Sequence, residues 1–254
     1  MRTRARSWAR AWAKGRLWWA EVAMLTAVYV GYEWVRARMH SEATTALVNA
    51  RRIQGWEAWA HVDVELWLNR ALERVSWLAS AADAYYQSTQ LVVSLGVLVL
   101  LWHFRRAAYG RLRAVLVVVT LTALVTYWLA PTAPPRFALP GAVDTLAAHP
   151  VLLVGDSTVT GWVNLYAAMP SLHVAWAVWC ALAAEVALTS RARHLAWLYP
   201  AATTWVVLAT ANHYLLDALA GAGIVALAWM LSAVPRLSFS PARSKNRKGV
   251  VYAP

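Results

Sequence analysis

Residues 84–130 read AYYQSTQLVVSLGVLVLLWHF, RRAAYGRLR and AVLVVVTLTALVTYWLA in succession. Two long apolar runs flank a short segment that holds Arg105, Arg106, Arg111 and Arg113. A bilayer core takes about 20 consecutive apolar residues per helix, with a range of about 17–25. Lys and Arg collect in short cytoplasmic loops. The stretch therefore predicts two membrane spans, Ala84–Phe104 and Ala114–Ala130, joined on the cytoplasmic side.

Four further runs of the same kind lie outside it: Leu17–Val35, Ser171–Leu188, Leu195–Ala211 and Ala218–Val234. The expected fold is all-α, an integral membrane bundle of six transmembrane helices over residues 17–235. With six spans the basic clusters alternate onto one side. They are the arm of residues 1–16 (Arg2, Arg4, Arg6, Arg10, Lys14, Arg16), the 105–113 turn, Arg191 with Arg193, and the tail of residues 236–254 (Arg236, Arg243, Lys245, Arg247, Lys248). Both termini are therefore expected in the cytoplasm, in a multi-pass protein of the cell membrane. The first run is too long for a signal peptide and lacks a small-residue cleavage site, so it reads as a retained helix. The tail, poor in apolar residues, is expected to be disordered.

Composition points the same way. Hydrophobic residues make up 60% of the chain and charged residues only 14%, against about 45–50% and about 25% in ordinary soluble domains. The mean hydropathy is +0.43. A net charge of +12 raises nucleic acid as a partner, but that footprint needs the basic residues gathered on one face. Here they punctuate apolar runs, and no nucleic acid is expected. Cys180 is the only cysteine, which rules out an intrachain disulfide and a cysteine metal cluster. Trp18, Trp19, Trp34, Trp102, Trp128 and Trp197 fall at the ends of runs, where an aromatic belt places them.

Between the first two spans, Trp56, Trp59, Ala60, Val64, Trp67, Leu68, Ala71, Leu72 and Val75 recur at three- and four-residue spacing. Glu57, His61, Glu65, Arg70, Glu73 and Arg74 fall off that stripe. Residues 55–75 are expected as an additional amphipathic helix, better suited to lying at the interface than to spanning.

The topology brings Arg136, His173, His213 and Asp217 to one membrane face, opposite the basic clusters. Singly, each has an ordinary reading: a headgroup anchor, a helix-end hydrogen bond, a cap. Their coincidence suggests chemistry. His213 and Asp217 stand four apart and share a face if the helix begins near Asn212. The carboxylate can then fix the imidazole tautomer and leave the other nitrogen free as a nucleophile. Pro170-Ser171-Leu172-His173 reads as a helix start, whose N–H groups form an anion site. His173 in that first turn suits a general acid. The prolines of Pro131–Arg136 can hold Arg136, the only Lys or Arg between Arg113 and Arg191, in place for bidentate phosphate binding.

These residues carry a family likeness. Tyr166–Trp176 (YAAMPSLHVAW), Ala211–Asp217 (ANHYLLD) with Gly221, and the preceding Pro131–Arg136 segment resemble the type 2 phosphatidic acid phosphatase superfamily. More narrowly they are similar to its inositolphosphorylceramide synthase-like branch, over roughly Ala84 to Val234. The resemblance implies a six-helix core with its active site at one membrane face, no metal and no other cofactor. It implies transfer of phosphoryl or phospho-headgroup units through a phosphohistidine. Carried over, His213 is the nucleophile, Asp217 its orienting carboxylate, His173 the general acid, and Ser171 and Arg136 phosphate ligands. Two departures remove cations. Leu129 stands where the superfamily has a lysine seven residues before the arginine, and Val207 where it has an arginine six residues before the nucleophile. Phosphoryl transfer depends on charge stabilisation, so Asn212 and Tyr214 are drawn in as further substrate-binding candidates.

The expected activity is therefore that of a lipid-phosphate phosphatase or lipid headgroup phosphotransferase, with a lipid phosphate or phospholipid entering from the bilayer. The sequence leaves the lipid, the acceptor and the oligomeric state open. Two rivals are a transporter, whose intramembrane acids would be Glu21 and Glu185, and an inactive lipid-binding scaffold. Asp144, His149 and Asp156 share the site's face as weaker candidates, and His61, His103 and His194 read as structural.

Overall fold

A computed structural model describes residues 18–38, 43–148 and 166–233. The basic arm, the tail, His149 and Asp156 lie outside the described residues. Among these, the chain is helical and holds no strand: α1 Trp18–Arg38, α2 Ala43–Trp59, α3 Glu65–Glu73, α4 Ser76–Phe104, α5 Arg106–Leu129, the single turns α6 Pro135–Ala138 and α7 Thr145–Ala148, α8 Leu172–Ala187, a 3-10 helix Arg191–Trp197 running into α9 Leu198–Ala209, and α10 Leu215–Ser232.

The six apolar runs are helical over most of their described length, and α4, α5 and α10 are long and apolar enough to cross a membrane. The surface matches. Val92, Val99, Leu129 and Leu231 are each more than 60% exposed, an apolar exterior that water would not tolerate over so wide an area. Hydroxyls on these helices turn inward on their own backbone. Thr120, Thr122 and Thr126 donate to the carbonyls of Leu116, Val118 and Thr122, and Thr203 and Thr204 to those of Tyr199 and Pro200. Each of these hydroxyls thereby has a partner in a medium without hydrogen bonds. α8, at 16 residues, is about 24 Å long and short for a bilayer core of about 30 Å. It is enclosed by its neighbours: Trp179, fully buried, donates to the Leu112 carbonyl at 2.8 Å. Around it Leu98, Leu101, Leu112, Val115, Val119 and Val225 form the core.

The bundle has two chemically distinct ends. At one, arginines meet helix C-termini. Arg105 Nε donates to the Ala187 carbonyl at 2.7 Å, and Arg111 to Ser232 Oγ at 2.8 Å and the Trp229 carbonyl at 3.1 Å. A cation there satisfies orphan carbonyls and the negative dipole end. Glu21 pairs with Arg113 and accepts from Tyr109, and Glu185 pairs with Arg193 and His194. Both acids of the transport reading are thus locally satisfied. At the other end lie the N-termini of α8 and α10, whose positive dipole ends converge.

The amphipathic segment departs from expectation in its continuity: residues 55–75 are the end of α2 and the whole of α3, with a turn at His61, whose φ is +56°. Trp56, Trp59 and Trp67 are 57%, 84% and 71% exposed, while Glu57, Glu65 and Asn69 are buried. The reason is the surface beneath the hairpin: a helix N-terminus with unmet N–H groups, which demands acceptors. The second span likewise begins earlier than Ala84, at Ser76, because its first turns pack Ala79 and Ala82 against Leu72, Val206 and Ala209.

Candidate active site

Three separated segments are stitched together through their backbones at the α8/α10 end. Thr132 N–H donates to the Tyr166 carbonyl at 2.8 Å and Ala168 N–H to the Thr132 carbonyl at 3.1 Å, so the proline segment after α5 pairs with the strand-like approach to α8. Arg136 N–H then donates to the Ala211 carbonyl at 3.0 Å, tying the same segment to the α9–α10 loop. Pro135 opens α6 at a position where its missing N–H costs nothing, and fixes Arg136 in the turn.

Ser171 caps α8, its Oγ accepting from Val174 N–H at 3.4 Å, and its own N–H donates to the Asp217 carbonyl of α10 at 2.9 Å. A hydrogen bond between the backbones of two helices requires close approach. Gly221 allows it: a Cβ there would lie 2.3 Å from the Ser171 carbonyl oxygen.

The α9–α10 loop, Thr210–Tyr214, is tied back to α9: Thr210 N–H donates to Val206 O at 2.9 Å and Ala211 N–H to Leu208 O at 3.0 Å. Asn212 N–H and His213 N–H both donate to Val207 O, at 3.0 and 3.1 Å, while Ala211 takes a positive φ of +50°. α10 starts at Leu215, so His213 stands in the loop and the expected helical face shared with Asp217 does not form. The two side chains still meet. His213 Nδ1 lies 2.8 Å from the Ala168 carbonyl and 3.5 Å from Asp217 Oδ2. A carbonyl can only accept, so Nδ1 carries a proton, which in the neutral ring leaves the lone pair on Nε2. Ala168 is thus the nearer partner of the ring and Asp217 the flanking charge, a division invisible in the sequence because a main-chain carbonyl leaves no residue signature.

His173 faces His213 with ring centroids 5.8 Å apart, and Tyr86 of α4 stacks on His173 at 4.1 Å. Arg136 Nη1 donates to Asn212 Oδ1, and its Nε lies 3.6 Å from Asp144. That Nε is buried without a hydrogen-bond partner among the described residues. Asn212 in turn donates to Thr210 Oγ1 at 2.7 Å. Tyr214 is fully buried, its hydroxyl accepting from Gln54 of α2 at 3.1 Å. Leu129 is exposed and Val207 buried in the core; neither position supplies charge.

Sequence reasoning missed Glu57 and Glu65. Three successive N–H groups at the start of α10 each meet a different carboxylate: Tyr214 meets Asp217 Oδ2 at 2.9 Å, Leu215 meets Glu65 Oε1 at 2.8 Å and Leu216 meets Glu57 Oε1 at 2.8 Å. The only signal was two acids in a tryptophan-rich segment on the site's side of the topology.

Burial pushes the Glu57 carboxyl up to about 8, and the carboxylates of Glu65, Asp217 and Asp63 add to the rise against the Leu216 hydrogen bond. Burial raises Glu65 too. The folded chain therefore keeps a proton on Glu57 that the unfolded chain releases near 4.5. This contribution is full below that value, declines as pH rises, and is gone above about 8. Glu57→Gln cannot titrate, so its melting temperature relative to the parent is expected to climb between about pH 5 and about pH 8. A difference that stays flat with pH would refute the retained proton.

Residues 51–231 match a protein-family model described as the PAP2 superfamily. The match reaches well before Ala84 and includes Glu57, Glu65 and the whole α3 helix. No curated protein and no solved structure matches the chain.

Proposed function

This chain belongs to the PAP2 superfamily, and from that premise we propose that it is a metal-independent lipid-phosphate phosphatase or lipid headgroup phosphotransferase working through a phosphohistidine. The observation that carries the reading is the facing pair of histidines, His213 with Nδ1 held by a carbonyl and His173 at the first turn of α8. With ring centroids 5.8 Å apart and the rings tilted at 57°, the two histidines are neighbours and can reach one phosphoryl group from different directions.

In the proposed reaction His213 Nε2 attacks phosphorus. A P–N bond forms as the P–O bond to the lipid alcohol breaks, and protonated His173 gives its proton to the leaving oxygen. Water or a second alcohol then attacks the phosphohistidine. His173 takes the proton of the incoming hydroxyl, the P–N bond breaks, and the starting protonation returns. Asp217 supports positive charge on His213 as the P–N bond forms. Arg136 and the α8 N–H groups hold the phosphoryl oxygens, with Ser171 fixing that helix start. Asn212 acts one step back by orienting Arg136, and Tyr214 by packing under the loop.

An apolar cavity of about 560 Å³, lined by Leu25, Leu91, Leu95, Leu98, Trp102 and Trp176 among others, supports a lipid substrate. Trp176 lies on α8 three residues beyond His173, so a chain in the cavity can present its headgroup to the histidines. The departures at Leu129 and Val207 fit the inositolphosphorylceramide synthase-like branch, in which the acceptor is an alcohol. The six apolar helices are assigned as six spans over residues 17–235, with the site at the non-cytoplasmic face and both termini in the cytoplasm. The support is the larger share of Lys and Arg in the sequence segments assigned to the opposite side, although Arg51, Arg52, Arg70, Arg74 and Arg136 stand on the site side.

The test is phosphate release from a panel of lipid phosphates by purified protein in micelles, repeated with headgroup-labelled phospholipids and alcohol acceptors. No turnover in either format from folded protein would reject the proposal. Arg136→Lys keeps the charge but loses the planar fork, and is expected to lower kcat/KM about 10- to 100-fold. Parent-like kinetics in that variant would remove Arg136 from the phosphate site.

A further inference from the structure

Two of the buried acids that the proposed chemistry does not use, Glu57 and Glu65, lie against the α9–α10 loop. Glu57 and Glu65 come from the α2–α3 hairpin and reach the first turn of α10, more than a hundred residues away in sequence. We infer that Glu57 and Glu65 are positioning residues for His213: through them the hairpin grips the start of α10 and fixes the loop on which the histidine stands. This rests on His213 being the reacting group.

The loop has five residues and an irregular backbone, and its N–H groups are held from the α9 side by the carbonyls of Val206, Val207 and Leu208. Those bonds leave the α10 end to be fixed, and α3 reaches both ends. Glu65 and Asn69, four apart and so on one face of α3, bind the two boundaries. Asn69 Nδ2 donates to the carbonyl of Ala209, the last residue of α9, at 3.1 Å. Glu65 accepts from Leu215, the first residue of α10, at 2.8 Å. Glu57 adds the next N–H along, at Leu216. A rigid helix turn thus sets the distance that the loop spans.

The grip also decides where phosphate can bind. Two helix N-termini converge on the site, and each is a potential anion site. Glu57 and Glu65 occupy the Leu215 and Leu216 N–H groups, so substrate phosphate is left with α8 and Arg136, facing His213 from the His173 side. Glu57 Oε2 and Asp217 Oδ1 are both buried with no hydrogen-bond partner among the described residues. A proton kept on Glu57, as its raised pKa requires, lessens the repulsion among the three acids.

The experiment compares Glu57→Ala, Glu57→Gln, Glu65→Ala and Glu65→Gln in the full chain in micelles. The probe is phosphatidic acid, or a headgroup-labelled phospholipid with an alcohol acceptor where only transfer occurs. Each Ala variant is expected to lower kcat about 100-fold with KM held within about threefold, and each Gln variant, which keeps an acceptor oxygen, to recover at least about tenfold of that loss. Amide exchange is expected to quicken at least about tenfold at Leu215 and Leu216 in the Ala variants and less in the Gln variants. Folded Ala variants with parent kcat, Gln variants no better than Ala, or unmoved exchange each overturn the inference. A purely structural role would lower the folded fraction and leave kcat per folded molecule intact. Failure of the underlying reading looks different: the parent then shows no turnover that His213→Ala removes. In that case exchange alone decides, faster rates upholding the grip on the loop and unchanged rates overturning it.

Discussion

His213→Ala is expected to lower turnover by at least about 10³-fold on whichever lipid phosphate the parent accepts, with no recovery at high substrate. Removing a covalent nucleophile deletes the pathway and not merely one contact, which is why the loss falls on kcat. The ring is nearly enclosed, at 3% exposure, and its Nδ1 hydrogen bond goes to a main-chain carbonyl that the substitution leaves in place. The fold should therefore persist, at the cost of a small cavity and an unmet Ala168 carbonyl. The second readout is chemical: brief reaction with ³²P-labelled lipid phosphate and alkaline quenching should label the parent and leave His213→Ala unlabelled. An acid-labile, base-stable label is what a P–N bond gives. Turnover within about tenfold of the parent would transfer the nucleophile elsewhere, and His173→Ala would then be the next substitution to test.

Gly221→Ala is expected to be nearly as damaging by a different route. An added Cβ would stand 2.3 Å from the Ser171 carbonyl oxygen and 3.4 Å from the Ala175 nitrogen. Both are backbone atoms, so no rotamer change relieves the clash; α8 and α10 must separate. That breaks the Ser171 N–H to Asp217 carbonyl hydrogen bond and moves the α8 N-terminus and His173 away from His213. Overpacking costs typically about 1–3 kcal/mol, and the backbone contact puts this site at or above the upper end. The expected result is a melting temperature lower by several degrees, together with loss of most turnover in the fraction that remains folded. Gly223→Ala on the same helix is the control, because a Cβ there meets nothing within 4 Å. Equal behaviour of the two variants would mean that the close approach is not what makes Gly221 necessary.

Much of this architecture was legible in the chain because lipid imposes a simple rule. Runs such as Ala84–Phe104 and Ala114–Ala130 must be helical, since an isolated segment in hydrocarbon can satisfy its backbone only internally. The candidate site's side chains could be named from the chain because each carries chemistry in its identity: a histidine at a helix start, a histidine and a carboxylate four apart, one arginine among prolines. The hairpin was legible only in part, because amphipathic periodicity says which residues share a face and not what that face meets. Trp56, Trp59 and Trp67 lie on the exterior, while Glu57 and Glu65, off the stripe, turn inward to N–H groups of α10 that nothing in the segment announces.

By itself, then, the sequence determined an apolar helical chain whose runs are punctuated by basic clusters, with two histidine motifs at the ends of other runs. Local hydrophobicity and charge act on each segment independently, so they could be read segment by segment. The tertiary structure alone decided the atoms that meet: the Ala168 carbonyl on His213, Gly221 beneath Ser171, and Glu65 with Asn69 bracketing the Thr210–Tyr214 loop. These contacts join main-chain groups or residues far apart in the chain. A carbonyl or N–H is the same at every position, so only the packed fold determines which one faces which side chain.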